Sequence, residues 1–114
     1  SSGAERVATY VQRLQSTFYS QKTLEDAAQA TGVSRRQFTE LFRRITHQSW
    51  KEYLQKLRLA HARELLVQTD KSVVAVAFES GFEDLSHFHR VFKQAFDLSP
   101  LAYRKKHQKS HAPE

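Results

Sequence analysis

The chain has 114 residues and carries 18 Lys and Arg against 12 Asp and Glu, for a formal net charge of +6. At 39% hydrophobic content it can bury a thin core, as one domain or two very small ones, and without Cys it excludes disulfide and thiolate chemistry. No apolar run is long enough to span a membrane, and the basic balance favours an anionic partner.

Ser1-Ser2-Gly3 reads as an appended scar and is set aside from the fold. The chain contains no Met, which points to a domain cut from a longer protein. From Ala4 onward the pattern is helical, with only three Gly and two Pro and no stretch of strand-like alternation. Helix-start signals recur in order. Thr23-x-x-Asp26 is a weak capping box, while Ser34-x-x-Gln37 and Ser49-x-x-Glu52 are full ones. Ser72 and Asp84 are placed to cap two more helices, and Ser99-Pro100 sets a cap before a proline at the first helical position. The predicted helices span about 4–18, 23–30, 35–46, 50–68, 73–79, 85–96 and 100–108. The fold class is all-α, and the terminal KKHQKSHAPE reads as a basic tail, flexible over 109–114.

The sequence also repeats. Ala28 precedes Gly32 by four residues as Ala77 precedes Gly81, and Phe38 and Phe42 return as Phe88 and Phe92. Ser49 and Tyr53 return as Ser99 and Tyr103, with one extra residue between Gly and the first Phe of the second copy. Each copy is a short helix, a tight turn with Gly, and a second amphipathic helix. This is helix-turn-helix grammar, in which the second helix enters the DNA major groove. The first unit is expected at about 23–46 and the second at about 73–96, joined by a linker helix at about 50–68. At 1.5 Å per residue that linker is roughly 28 Å long, enough with the thickness of its neighbours for two adjacent major-groove segments.

On a helical wheel, Leu85, Phe88, Val91, Phe92, Ala95 and Phe96 form an apolar stripe, with Phe38, Leu41, Phe42 and Ile45 as its counterpart in the first unit. Both are expected to be buried.

The run Val76-Ala77-x-x-x-Gly81-Phe82, then Phe88, Phe92-Lys93 and Ser99-Pro100-x-x-Tyr103-Arg104, resembles the signature of the AraC/XylS family of bacterial transcription regulators. The resemblance covers about Thr23 to His107. It implies a seven-helix DNA-binding domain over residues 4–108, and a separate effector-binding or dimerisation domain elsewhere in the full protein. It further implies a cytoplasmic, nucleoid-associated regulator, activating members of which contact RNA polymerase. His47 and Asp97 stand where the family tends to place Gly after each recognition helix. Asp and His are among the side chains that tolerate that left-handed position.

The wet faces supply the candidate readers. Arg36, Thr39 and Glu40 in the first unit, and Ser86, His87, His89 and Arg90 in the second, are candidate base contacts. Arginine suits guanine, and glutamate accepts from cytosine. Arg36 with Glu40 also has the spacing of an i,i+4 ion pair. Arg35, Arg43, Arg44 and Lys93 are candidate phosphate contacts, which position a helix without reading sequence. Trp50, Tyr53 and Tyr103 are expected to pack rather than stack on bases. No carboxylate pair has the arrangement of an acid and base, and no His spacing suits a metal. The expectation is therefore a double-stranded DNA-binding regulator, not an enzyme, without cofactor or metal, with a helical protein-interaction module as the alternative.

Overall fold

A computed structural model of the protein describes residues 1–108, so the tail expected at 109–114 lies outside the described residues. Among those residues the chain forms seven α-helices and no strand: α1 (Gly3–Thr17), α2 (Leu24–Thr31), α3 (Arg35–Thr46), α4 (Trp50–Gln68), α5 (Val73–Glu79), α6 (Leu85–Phe96) and α7 (Pro100–His107). A 3-10 turn at Phe18–Ser20 separates α1 from α2.

Every expected cap is in place. Thr23, Ser34, Ser72, Asp84 and Ser99 each accept, through the side chain, the backbone N–H three residues on. Ser34 and Gln37 close a full capping box. Ser49 and Glu52 do the same at α4, with bonds of 3.1 and 3.2 Å. Hydrogen bonds from the Ser49 side chain and backbone hold the Glu52 carboxyl below its ordinary pKa, helped by the nearby charges of Arg43 and Lys56. Ser2, set aside on sequence grounds, takes part as well: its hydroxyl accepts the Glu5 N–H at the start of α1.

The chain divides into two compact units at Leu57/Arg58, inside α4. The first unit packs Val7 and Leu14 of α1, Ala27 and Ala28 of α2, and Phe38 and Phe42 of α3 around one core. Leu54 of α4 joins them, and Trp50, Tyr53 and Leu57 cover the edge. The second unit repeats that plan with Leu59, Ala62 and Leu66 of α4, Val76 and Ala77 of α5, and Phe88, Val91 and Phe92 of α6. Tyr103 of α7 packs on its edge. The aromatic geometry repeats too. Phe38–Phe42 and Phe88–Phe92 centroids both lie 5.6 Å apart. Tyr53 meets Phe42 edge-on at 5.5 Å, and Tyr103 meets Phe92 edge-on at 5.6 Å. Trp50 packs as expected, donating its indole N–H to the Tyr10 hydroxyl at 2.8 Å.

Two positions on the apolar stripes depart from expectation. Ile45 is 37% exposed, and Ala95, its counterpart in the repeat, is exposed as well. Neither belongs to its unit's core or to the residues packed on it. A helical wheel gives direction around the axis but not depth along it, and both residues lie in the last turn of their helices.

The turns follow the same logic. Gly32 ends α2 with φ of 69°, and Gly81 follows α5 with φ of 101°, conformations that cost a side chain strain. After α3 and α6, His47 and Asp97 adopt φ of 63° and 64°. Their N–H groups donate to the carbonyls of Arg43 and Lys93, so the left-handed helix ends survive without glycine. Arginines from flanking helices close two other helix ends. Arg6 Nε donates to the Thr31 carbonyl at 2.7 Å, and Arg104 Nε donates to the Leu66 carbonyl at 3.0 Å.

Candidate nucleic-acid interface

Each second helix is anchored by its buried phenylalanines, with Val91 beside them in α6, and turns its polar side chains to solvent. On α3, Phe38 and Phe42 are buried, while Arg35, Arg36, Thr39, Glu40, Arg43 and Arg44 are all exposed. On α6, Phe88 and Phe92 are buried, Ser86, His89, Arg90 and Lys93 are exposed, and His87 is half-buried at the margin. All eleven candidates named from the sequence thus stand on two helix faces, one in each unit.

The α3 face is organised by two ion pairs. Arg36 Nε lies 3.3 Å from Glu40 Oε1, one turn on, with both side chains well exposed. A pair this wet contributes little to stability, so it orients both groups without locking them. Arg35 Nη1 pairs at 2.9 Å with Glu25 of α2. That contact was not legible in the sequence, because Glu25 and Arg35 meet only once the turn folds α2 and α3 together. Thr39 donates its hydroxyl to the Arg35 carbonyl at 3.0 Å, leaving acceptor lone pairs and a methyl to offer. Arg43 stands near enough to Glu52 for its charge to help lower that carboxyl.

The α6 face is held differently. His89 Nδ1 donates to the Leu85 carbonyl at 2.9 Å, which leaves Nε2 as the atom it can present. Arg90 Nη2 donates to His87 Nδ1 at 2.9 Å, another contact that sequence reading missed. The signal for it was the i,i+3 spacing, since such pairs are neighbours on a helix. Among the described residues, no group of three His, Asp or Glu side chains is placed to hold a metal ion, and no helix is long and apolar enough to cross a membrane.

Two helix-turn-helix units, each with an exposed, mainly basic second helix set on buried aromatics, define a helix-turn-helix regulator domain. A family model described as a helix-turn-helix domain matches residues 27–106. The chain belongs to the AraC/XylS family of bacterial transcription regulators, a family of DNA-binding regulators rather than enzymes.

Its relatives bear this out. The chain is 44% identical over 87 residues to the transcriptional activator NphR of a Rhodococcus species, covering 75% of this chain and 25% of NphR. It is 40% identical over 77 residues to the regulator GbdR of Pseudomonas aeruginosa, covering 68% of this chain and 21% of GbdR. The chain thus spans between 21% and 34% of the length of such curated relatives. Among solved structures, the DNA-binding domain of the global transcriptional factor AdpA, in complex with a target DNA, is similar with a TM-score of 0.84. Identity there is 30%, over 89% of this chain and 91% of that one. The C-terminal domain of the response regulator AraT from Geobacillus stearothermophilus gives a TM-score of 0.83 at 27% identity, covering 100% and 93% of the two chains.

Proposed function

We propose that this domain binds double-stranded DNA sequence-specifically and regulates transcription, with α3 and α6 as its reading helices. The observation that carries the reading is the recurrence of one design. The second helix of each unit is fixed by two buried phenylalanines and presents a polar, mainly basic face to solvent. The likeness to the AdpA domain, described in complex with DNA, supports the same role.

Arg36, Thr39, Glu40, Ser86, His89 and Arg90 are assigned to base edges, since they occupy the first two-thirds of their helices, where a recognition helix meets the groove floor. Arg35, Arg43, Arg44 and Lys93 are assigned to phosphates. Selecting bound duplexes from a random DNA pool tests the whole reading. A preferred sequence, with affinity falling steeply as log salt rises, is the expected result, and binding without sequence preference overturns it.

The phosphate assignment has its own check. Arg43→Ala and Lys93→Ala are each expected to weaken all duplexes alike and to lower the salt slope by about one unit. An unchanged slope removes that residue from the phosphate set.

The two helices are proposed to read two adjacent segments of one duplex. Inserting about five base pairs between the selected subsites turns one of them to the opposite DNA face. Binding by both units should then be lost. An unchanged affinity and footprint would show that only one unit reads DNA.

In the full-length protein, a further effector-binding or dimerisation domain is proposed beyond this span, in keeping with relatives several times longer. Activation, as in the name of NphR, and action in the bacterial cytoplasm on nucleoid DNA are part of the same proposal. Contact with RNA polymerase or another protein is a second reading. It is favoured by Val74 and Phe78, one turn apart on α5 and 46% and 52% exposed.

A further inference from the structure

The two recognition helices use the third residue after their caps in different ways. In α3 this residue is Gln37, whose Oε1 accepts the Ser34 N–H at 3.3 Å and so serves the cap. In α6 it is His87. The Asp84 carboxylate accepts the His87 N–H at 3.1 Å, and the imidazole is directed forward, with Nδ1 accepting from Arg90 Nη2 at 2.9 Å. A guanidinium has only donors, so Nδ1 is unprotonated in this contact and the ring proton sits on Nε2. His87 is half-buried, with the Phe82 ring centroid 6.1 Å from its own, whereas Arg90 is exposed. The acceptor is therefore the better anchored partner.

We propose that His87 is a positioning residue for Arg90 and makes no base contact of its own. It takes one N–H of the guanidinium and limits the rotamers of a long, exposed side chain, leaving the rest of the donor fork for a base. Ordering a rotamer-rich side chain at an interface costs affinity, and holding it in place beforehand removes part of that cost. The inference rests on the reading of Arg90 as a base contact.

The test measures affinity for the selected duplex and its single-base variants, using wild type, His87→Ala, His87→Asn, Arg90→Ala and the His87→Ala/Arg90→Ala double variant. His87→Ala is expected to weaken binding about three- to tenfold, at the same base pair that Arg90→Ala relaxes. In the Arg90→Ala background it should have no further effect. Asparagine offers Oδ1 as an acceptor in place of Nδ1, so His87→Asn should recover most of the loss. Relaxed preference at a different base pair, or a loss that adds fully to that of Arg90→Ala, overturns the proposal. So does a fall in unfolding temperature shared by both single His87 variants, which would make the residue structural. A uniform loss from Arg90→Ala across all base pairs strikes instead at the base-reading assignment. The positioning of Arg90 is then decided by the double variant alone, additivity overturning it and non-additivity upholding it.

Discussion

Phe92→Ala is expected to lower the stability of the second unit by roughly 3–5 kcal/mol, far more than any substitution on the exposed helix faces should cost. Phe92 is fully buried, and its ring touches the rings of Phe88, Phe96 and Tyr103 at centroid distances of 5.6, 4.7 and 5.6 Å. Truncation removes the common member of these contacts and leaves a cavity between α6 and α7. Collapse of the neighbours is restricted, because Phe88 and Val91 are themselves packed in the same core. A small domain has only about 5–15 kcal/mol of stability in total, so a loss of this size takes a large share of it. Thermal unfolding followed by circular dichroism measures it. A midpoint that moves by less than about 5 °C would refute the central place given to Phe92.

Arg90→Ala is expected to weaken specific binding by about 1–3 kcal/mol and to relax preference at one base pair. Arg90 is exposed in the second turn of α6, with Phe88 and Val91 beside it fixed in the core. The backbone under the guanidinium is therefore rigid, and the loss should appear as a changed profile rather than a general weakening. Titrations against every single-base variant of the selected site supply that profile. An equal loss on all duplexes would assign Arg90 to a phosphate instead.

Much of this molecule was legible in its sequence because its local signals agree with one another. Ser34, Ser72, Asp84 and Ser99 cap the helices that their spacing announced, and Ala28 and Ala77 are buried beside the glycines that follow them. His47 and Asp97 were legible as left-handed helix ends through the family resemblance, because the family tends to place Gly there and His and Asp tolerate that conformation. Contacts between residues far apart in the chain were not legible. Arg6 reaching the Thr31 carbonyl and Glu25 reaching Arg35 have no periodicity to betray them. The candidate readers were identified as a set by exposure and charge. Of their internal pairings, the i,i+4 spacing offered Arg36 with Glu40, whereas Arg90 with His87 needed side-chain coordinates, because a helical wheel shows which residues are neighbours and not which of them bond.

The division of the chain inside α4 bears on how freely these units could be exchanged between proteins. Trp50, Tyr53, Leu54 and Leu57 belong to one core, and Leu59, Ala62 and Leu66 belong to the next. The repeat is therefore not a pair of cassettes with a joint between them. A cut before α4 strips the first unit of its last layer, and a cut after α4 strips the second of its first. A cut at Leu57/Arg58 spares both sets of side chains but begins the second unit in mid-helix, with no capping residue and four backbone N–H groups left open. A graft of the second unit should therefore bring its own serine or aspartate cap, followed by a fresh first turn.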